Sequence, residues 1–215
     1  MEKGLFITFE GTDASGKSTQ SGLLAASLER RGYDVILTRE PGGTDIGEKI
    51  RKILLDKDNA EMSGATEVLL YAAARAQLIS QIIRPGLLGE KIVICDRFLD
   101  SSVAYQGAGR NLGAGMIESV NAYAVASCMP DITFLLKIKP ETGKIRRRAE
   151  DEDRIESETD LYHKTVYDAY LELERRFTER IVGIDGNAAL GDISAEIERH
   201  VEKLLRRVKR DNGGE

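Results

Sequence analysis

The chain has 215 residues, 41% of them hydrophobic and 31% charged, and a formal net charge of −5. That length suits one well-buried domain, and the acidic balance argues against a general binder of nucleic-acid polymers, which carries a basic surplus. No apolar run approaches membrane-spanning length, and the two cysteines, Cys95 and Cys128, lack CxxC spacing.

The start, Met1-Glu2-Lys3-Gly4, has no apolar signal core. A cytoplasmic protein with reduced thiols is expected. The first strand is read at Leu5–Phe9, the second at Asp34–Thr38 and the third at Lys91–Cys95. Ile132–Leu136, extending through Lys137 and Ile138, reads as the fourth, and Arg180–Ile184 as the fifth. These are near-continuous apolar runs, which suits parallel strands covered on both faces. Between them lie helical periods: Leu23, Leu24 and Leu28 face inward after the first strand. Later come the stripes Tyr162, Val166, Tyr170, Leu173, Phe177 and Ile193, Ile197, Val201, Leu204, Val208. Both stripes are assigned to the core and given no chemistry. His163 and His200 have no neighbouring ligands and read as surface helix residues. The pattern predicts one α/β domain over residues 1–210, a three-layer fold with a five-stranded parallel sheet flanked by helices. Residues 211–215 read as a frayed tail.

Between the first strand and the first helix stands FEGTDASGKSTQ, residues 9–20. Gly11 to Ser18 fits GxxxxGK[ST], the phosphate loop of P-loop NTPases. The glycines let backbone N–H groups converge on phosphate oxygens, Lys17 bridges the terminal phosphates, and the Ser18 hydroxyl ligates Mg²⁺. The candidate ATP-binding residues are Gly11, Thr12, Asp13, Ala14, Ser15, Gly16, Lys17, Ser18 and Thr19. A second carboxylate toward the metal is supplied by Asp96, at the end of the third strand. Position 14 is a plain Ala, so Lys17 is the loop's only cation.

There is no Asn-Lys-x-Asp loop of a guanine-specific switch. Arginines stand instead in unusual settings: Arg39 after a strand, Arg75 inside an apolar helical run, Arg97, and Arg146-Arg147-Arg148 with Arg154. A second anionic substrate accounts for them, which favours phosphoryl transfer to a small acceptor. Two alternatives stay open: a kinase for another nucleoside monophosphate or a deoxynucleoside, and a nucleotide-dependent switch protein.

Six segments carry a resemblance: Phe9–Asp13 leading into the loop, Thr38-Arg-Glu-Pro-Gly-Gly-Thr44, Leu69–Arg75, Asp96-Arg97-Phe98, Ala104-Tyr-Gln-Gly107 and Asp153-Arg-Ile-Glu156. From first strand to last helix the chain resembles the bacterial-type thymidylate kinases. The resemblance implies transfer of the ATP γ-phosphate to dTMP, giving dTDP and ADP in dTTP synthesis. It puts Arg39, Glu40 and Pro41 beside the acceptor nucleotide, with Arg39 near its phosphate and a cis bond before Pro41. It puts Tyr71 on the thymine face, Arg75 on the acceptor phosphate and base, and Arg97 on the acceptor phosphate. Ser101, Ser102, Tyr105 and Gln106 become base and sugar contacts, and Asp13 falls near the sugar hydroxyl. Ala74 and Leu78 depart from the family's usual polar pair beside Arg75. A lid is expected at about 146–157, and a loop without its own second cation implies a lid arginine, Arg154 first and Arg148 second. Asp185–Ala188 is placed near adenine, and a homodimer is expected. Lys137 and Lys139 are left without a role.

Overall fold

The computed structural model describes residues 4–125, 128–146 and 153–211, with side chains as far as 207. Its sheet is built from Leu5–Glu10 (β1), Val35–Arg39 (β2), Ile92–Asp96 (β3), Ile132–Lys137 (β4) and Ile181–Asp185 (β5). The order is β2-β3-β1-β4-β5, with every pair parallel. Each strand lies within one residue of its sequence assignment. Arg39, Asp96, Phe9 and Phe134 stand level in register, so three strands end together around the phosphate loop.

The runs are continuous because both faces are covered. Leu5, Ile7, Phe9, Ile92 and Ile94 pack under Lys17–Arg30 (α1) and Leu190–Asp211 (α9). Phe6, Val93 and Cys95 point the other way, against Leu78, Ile79, Ile83 and Phe98. In α1 Leu24 and Leu28 are buried as expected, but Leu23 is exposed, since it lies about 100° off the inward stripe. In α9 Leu205 joins Ile193, Ile197 and Val201 in the core, and Leu204 is half-buried against them. The helix continues through Asp211, the first residue assigned to the tail. Val208 lies beyond the described side chains.

A second helical layer is made of Asp45–Leu55 (α2), Gly64–Leu78 (α3), Arg84–Leu88 (α4), Leu99–Ser102 (α5) and Ala114–Val125 (α6). Thr44 and Ser63 cap α2 and α3, their hydroxyls accepting from Gly47 and Thr66 N–H. Between α3 and α4, Ile79–Ile83 widens into a π-helical turn just ahead of Pro85, whose missing N–H would break an ordinary helical ladder. A second π-helical stretch, Val103–Gly109, follows α5. Pro140–Arg146 (α7) and Asp160–Arg176 (α8) flank the segment expected as a lid.

His163 is buried rather than on the surface. Residues 153–158 fold back over the start of α8, and its ring Nε2 lies 3.2 Å from the Glu156 carbonyl. His200 is partly covered, its ring edge-on to Phe134. Lys137 has a structural role, its Nζ donating to both Glu174 oxygens at 2.8 and 3.1 Å across Gly183.

Candidate active site

The loop from β1 to α1 bends through left-handed backbone at Gly11 (φ 138°), Ala14 (φ 58°) and Gly16 (φ 94°). At Gly11 a Cβ would stand 2.5 Å from the Leu136 carbonyl, so only glycine passes there. Lys17 curls back over the loop, donating from Nζ to the Thr12 carbonyl at 2.8 Å and to Ser15 Oγ at 3.3 Å. Burial and the nearby Arg97 cation bring its pKa down to about 8, against the pull of Asp96, Asp13 and Glu10. Ser18 Oγ donates to the Asp96 carboxylate, bringing together the two oxygens assigned to Mg²⁺. Among the described residues no group of three or more acidic, His or Cys side chains could enclose an ion. A two-oxygen set fits Mg²⁺, which takes its remaining ligands from phosphates and water. Thr19 is exposed on α1.

Arg97 leaves β3 with positive φ (71°), which turns its side chain back over the loop. It donates to the Gly11 carbonyl at 3.0 Å, to Ser101 Oγ at 3.2 Å, to Tyr105 Oη at 3.3 Å and to the Asp13 carboxylate. Asp13 also accepts from Tyr105 Oη at 2.9 Å. Beneath them Glu10 accepts from Phe98 N, Ser101 N, Ser101 Oγ and Tyr170 Oη, at 2.6 to 3.2 Å. Burial and the Asp100 charge push its carboxyl up to about 7. Glu10 and Tyr170 were missed as site residues: one lies inside the quoted motif, the other in a stripe read as core.

From Arg97 and Asp13 a cavity runs outward between α2, α3 and the π-helical stretch. Glu40, Pro41, Tyr71, Arg75, Ser101, Ser102, Tyr105 and Gln106, which the resemblance put beside the acceptor, all line it together with Phe98, and the Glu40–Pro41 bond is cis. Arg75 is among the largest fully buried side chains of the described residues. It donates to Glu40 at 2.6 and 2.9 Å, to Ser102 Oγ at 2.9 Å, to the Phe98 carbonyl at 3.2 Å and to Asn121 Oδ1. The support absent at Ala74 and Leu78 thus comes from Glu40, Ser102 and Asn121.

Two arginines stand elsewhere than expected, and a third, Arg51, was not anticipated. Arg39 is outside the cavity wall, half-exposed and bound to Glu48 at 2.9 Å. Arg51 takes a place on that wall instead, donating to the Pro41 carbonyl at 3.0 Å. Arg154, expected as the mobile lid cation, is 7% exposed and bound to Glu67 at 2.7 Å and the Leu54 carbonyl at 2.8 Å. Its guanidinium is thereby held against α2 and α3, while its neighbours Asp153, Ile155 and Glu156 line the cavity. Arg148 lies outside the described residues. Arg146 donates to the Gly186 carbonyl at 3.1 Å, within the loop assigned to adenine.

A phosphate loop opening onto a second, arginine-lined cavity is the plan of a kinase for small phosphorylated acceptors. Comparison with known proteins agrees. The family model described as thymidylate kinase matches residues 9–197. A thymidylate kinase of Exiguobacterium sp. is 46% identical over 203 residues, covering 94% of this chain and 96% of that relative. One from Acholeplasma laidlawii is 44% identical, covering 94% of this chain and 100% of its own length. The crystal structure of thymidylate kinase from Ehrlichia chaffeensis superposes with a TM-score of 0.76 at 32% identity, covering 93% of this chain and 98% of that one. Fold, site plan and relatives converge: the chain belongs to the thymidylate kinase family.

Proposed function

We propose that this protein transfers the γ-phosphoryl group of ATP to dTMP, giving dTDP and ADP. The observation carrying this reading is the junction at Arg97 and Asp13, where the phosphate loop and the arginine-lined cavity meet. Lys17 would leave the Thr12 carbonyl to hold the terminal phosphates of ATP. Mg²⁺, held by Ser18 and Asp96, would neutralise charge on the transferring phosphates. Arg97 would hold the acceptor phosphate in line, with Arg39 joining once released from Glu48. Tyr71 would stack on the base, Arg75 with Gln106 and Ser102 would meet its edge, and Asp13 with Tyr105 would meet the sugar. No general base is needed, because a phosphate monoester is already anionic at neutral pH. Residues 153–156 would help exclude water from the transferring group. Asp185–Ala188 would flank adenine.

α2, α3 and α6 pack side by side and expose Ile46, Ile53, Leu69, Met116 and Tyr123. Such an apolar face suits a homodimer, and light scattering at micromolar concentration tests it: a monomer would remove it. No described helix is long and apolar enough to cross a membrane, which accords with a cytoplasmic enzyme.

The test of the activity is ADP release from Mg-ATP with each nucleoside monophosphate, for the wild type and Lys17→Ala. Strong stimulation by dTMP, weaker by dUMP and lost in the variant, is expected. Acceptor-independent turnover, or stimulation by AMP or a nucleoside instead, would overturn the reading.

A further inference from the structure

Glu67 belongs to α3 and its side chain is completely buried. Its oxygens accept from Gln106 Nε2 at 2.8 Å, from Arg110 Nε and Nη2 at 3.3 and 3.1 Å, and from Arg154 Nη2 at 2.7 Å. Burial pushes its carboxyl up, but the donors from Gln106, Arg110 and Arg154 more than reverse this and hold it below the usual carboxylate range. At neutral pH it is therefore ionised, and an ionised carboxylate only accepts hydrogen bonds.

That restriction reaches the base pocket. A glutamine amide has one donating and one accepting end, and either can face a neighbour that both donates and accepts. Gln106 has no such choice, since the end facing Glu67 must be the –NH₂. Its Oε1 is then the end left for the cavity, whose wall includes Gln106, and among the described residues no protein group donates to it. Arg75 lines the same cavity. Of its two Nη1 protons one goes to Asn121, leaving the other, among the described residues, without an assigned protein acceptor. The wall thus offers an acceptor from Gln106 and a donor from Arg75.

We propose that Glu67 is a specificity-determining positioning residue, which fixes the Gln106 amide so that the pocket accepts only a pyrimidine donating from N3. The inference rests on the dTMP reading and deepens it. Thymine and uracil present a carbonyl O4 beside an N3–H, the complement of a donor and an acceptor. Cytosine presents the reverse, an amino group beside a bare N3, and would set acceptor against acceptor and donor against donor. Glu67 touches no part of the base; it disfavours cytosine by denying Gln106 the flip that would relieve one of the two clashes, the Arg75 donor staying against the amino group. Selectivity of this polar kind is large where the groups are buried, whereas the thymine methyl alone is worth only about 10–200-fold.

The experiment compares kcat/KM for dTMP, dUMP and dCMP. The ratio of dUMP to dCMP isolates the base edge from the methyl group. In Glu67→Gln, position 67 can donate as well as accept, so Gln106 is free to turn, and the ratio should fall at least tenfold. Arg110→Met removes a partner of Glu67 but keeps the carboxylate, and should leave the ratio within threefold of wild type. A ratio unchanged in Glu67→Gln, or equally lowered in Arg110→Met, would overturn the proposal while leaving the kinase reading intact. A wild type that does not turn over dTMP at all would remove both. Gln106→Met gives an independent test of sign should Glu67→Gln fold poorly. With Oε1 facing the base, losing it raises KM for dUMP and spares dCMP. The opposite pattern would mean the amide points the other way.

Discussion

Glu40 and Arg75 form an ion pair at 2.6 Å in which both side chains are almost wholly buried, 4% and 1% exposed. Glu40 comes from the cis-proline loop after β2 and Arg75 from α3, so the pair ties the loop to the helix in the cavity wall. Burial pushes the Glu40 carboxyl up, and Arg75 pulls it back. Arg75→Met would leave that carboxylate without its cation, and a buried pair broken on one side costs about 3–5 kcal/mol. Urea denaturation should show a loss of that order, partly recovered in the double variant Arg75→Met/Glu40→Gln. No recovery would mean that the loss comes from packing, not from the stranded charge.

Glu10 gives the stability a dependence on pH. Its carboxyl is raised from 4.5 to about 7, by burial first and the Asp100 charge second. A raised pKa means that its contribution is fully present below 4.5 and is lost as pH climbs through about 7. Glu10→Gln removes that loss. The melting temperature of the variant minus that of the wild type should therefore be several degrees more positive at pH 8 than at pH 5, at roughly 2–4 °C per kcal/mol for a chain of this size. A difference that does not move with pH would show that Glu10 titrates as an ordinary carboxyl.

Lys17 predicts the opposite traffic of protons. Its pKa is lowered to about 8, by burial first and the Arg97 cation second, and a bound phosphate favours the cation. ATP binding near pH 8 should take up part of a proton. Calorimetry in two buffers of different ionisation enthalpy would measure it, and Lys17→Met should abolish it. The same variant should lower turnover about 10²–10³-fold, the scale for one missing donor to transition-state charge.

Arg154 separates two roles. As a lid cation acting on the transferring phosphate, its removal would depress kcat and leave acceptor KM alone. Held by Glu67 and the Leu54 carbonyl, it is expected to behave differently. Arg154→Ala should raise KM for dTMP and lower the melting temperature by several degrees. Steady-state kinetics decide between them, and a pure kcat effect would restore the lid assignment.

The parallel sheet was legible because both-face burial leaves unbroken apolar runs, and the loop because its glycines and Lys17 sit at fixed spacing. The cavity wall was legible only through resemblance, since Ser101, Ser102 and Gln106 carry no signal alone. Glu67 left a trace that the sequence reading did not use. It stands at i, with Tyr71 at i+4 and Arg75 at i+8, so one more turn of the face that marked the pocket would have reached it. Arg51 had no comparable trace, because nothing in an amphipathic helix distinguishes an arginine aimed at a cavity from one aimed at solvent. The burial of Arg154 was not legible because a charge run does not say which of its members folds inward.

The level ends of β2, β3 and β1 act as a ruler. Neighbouring strands in a sheet are held ~4.7–4.9 Å apart by their hydrogen bonds, and Arg39, Asp96 and Phe9 stand at successive marks on that scale. Exchanging side chains can sharpen or blunt what sits at each mark. The spacing of the marks belongs to the backbone, so the reach from donor to acceptor is graduated in whole strands and lies beyond adjustment by any single substitution.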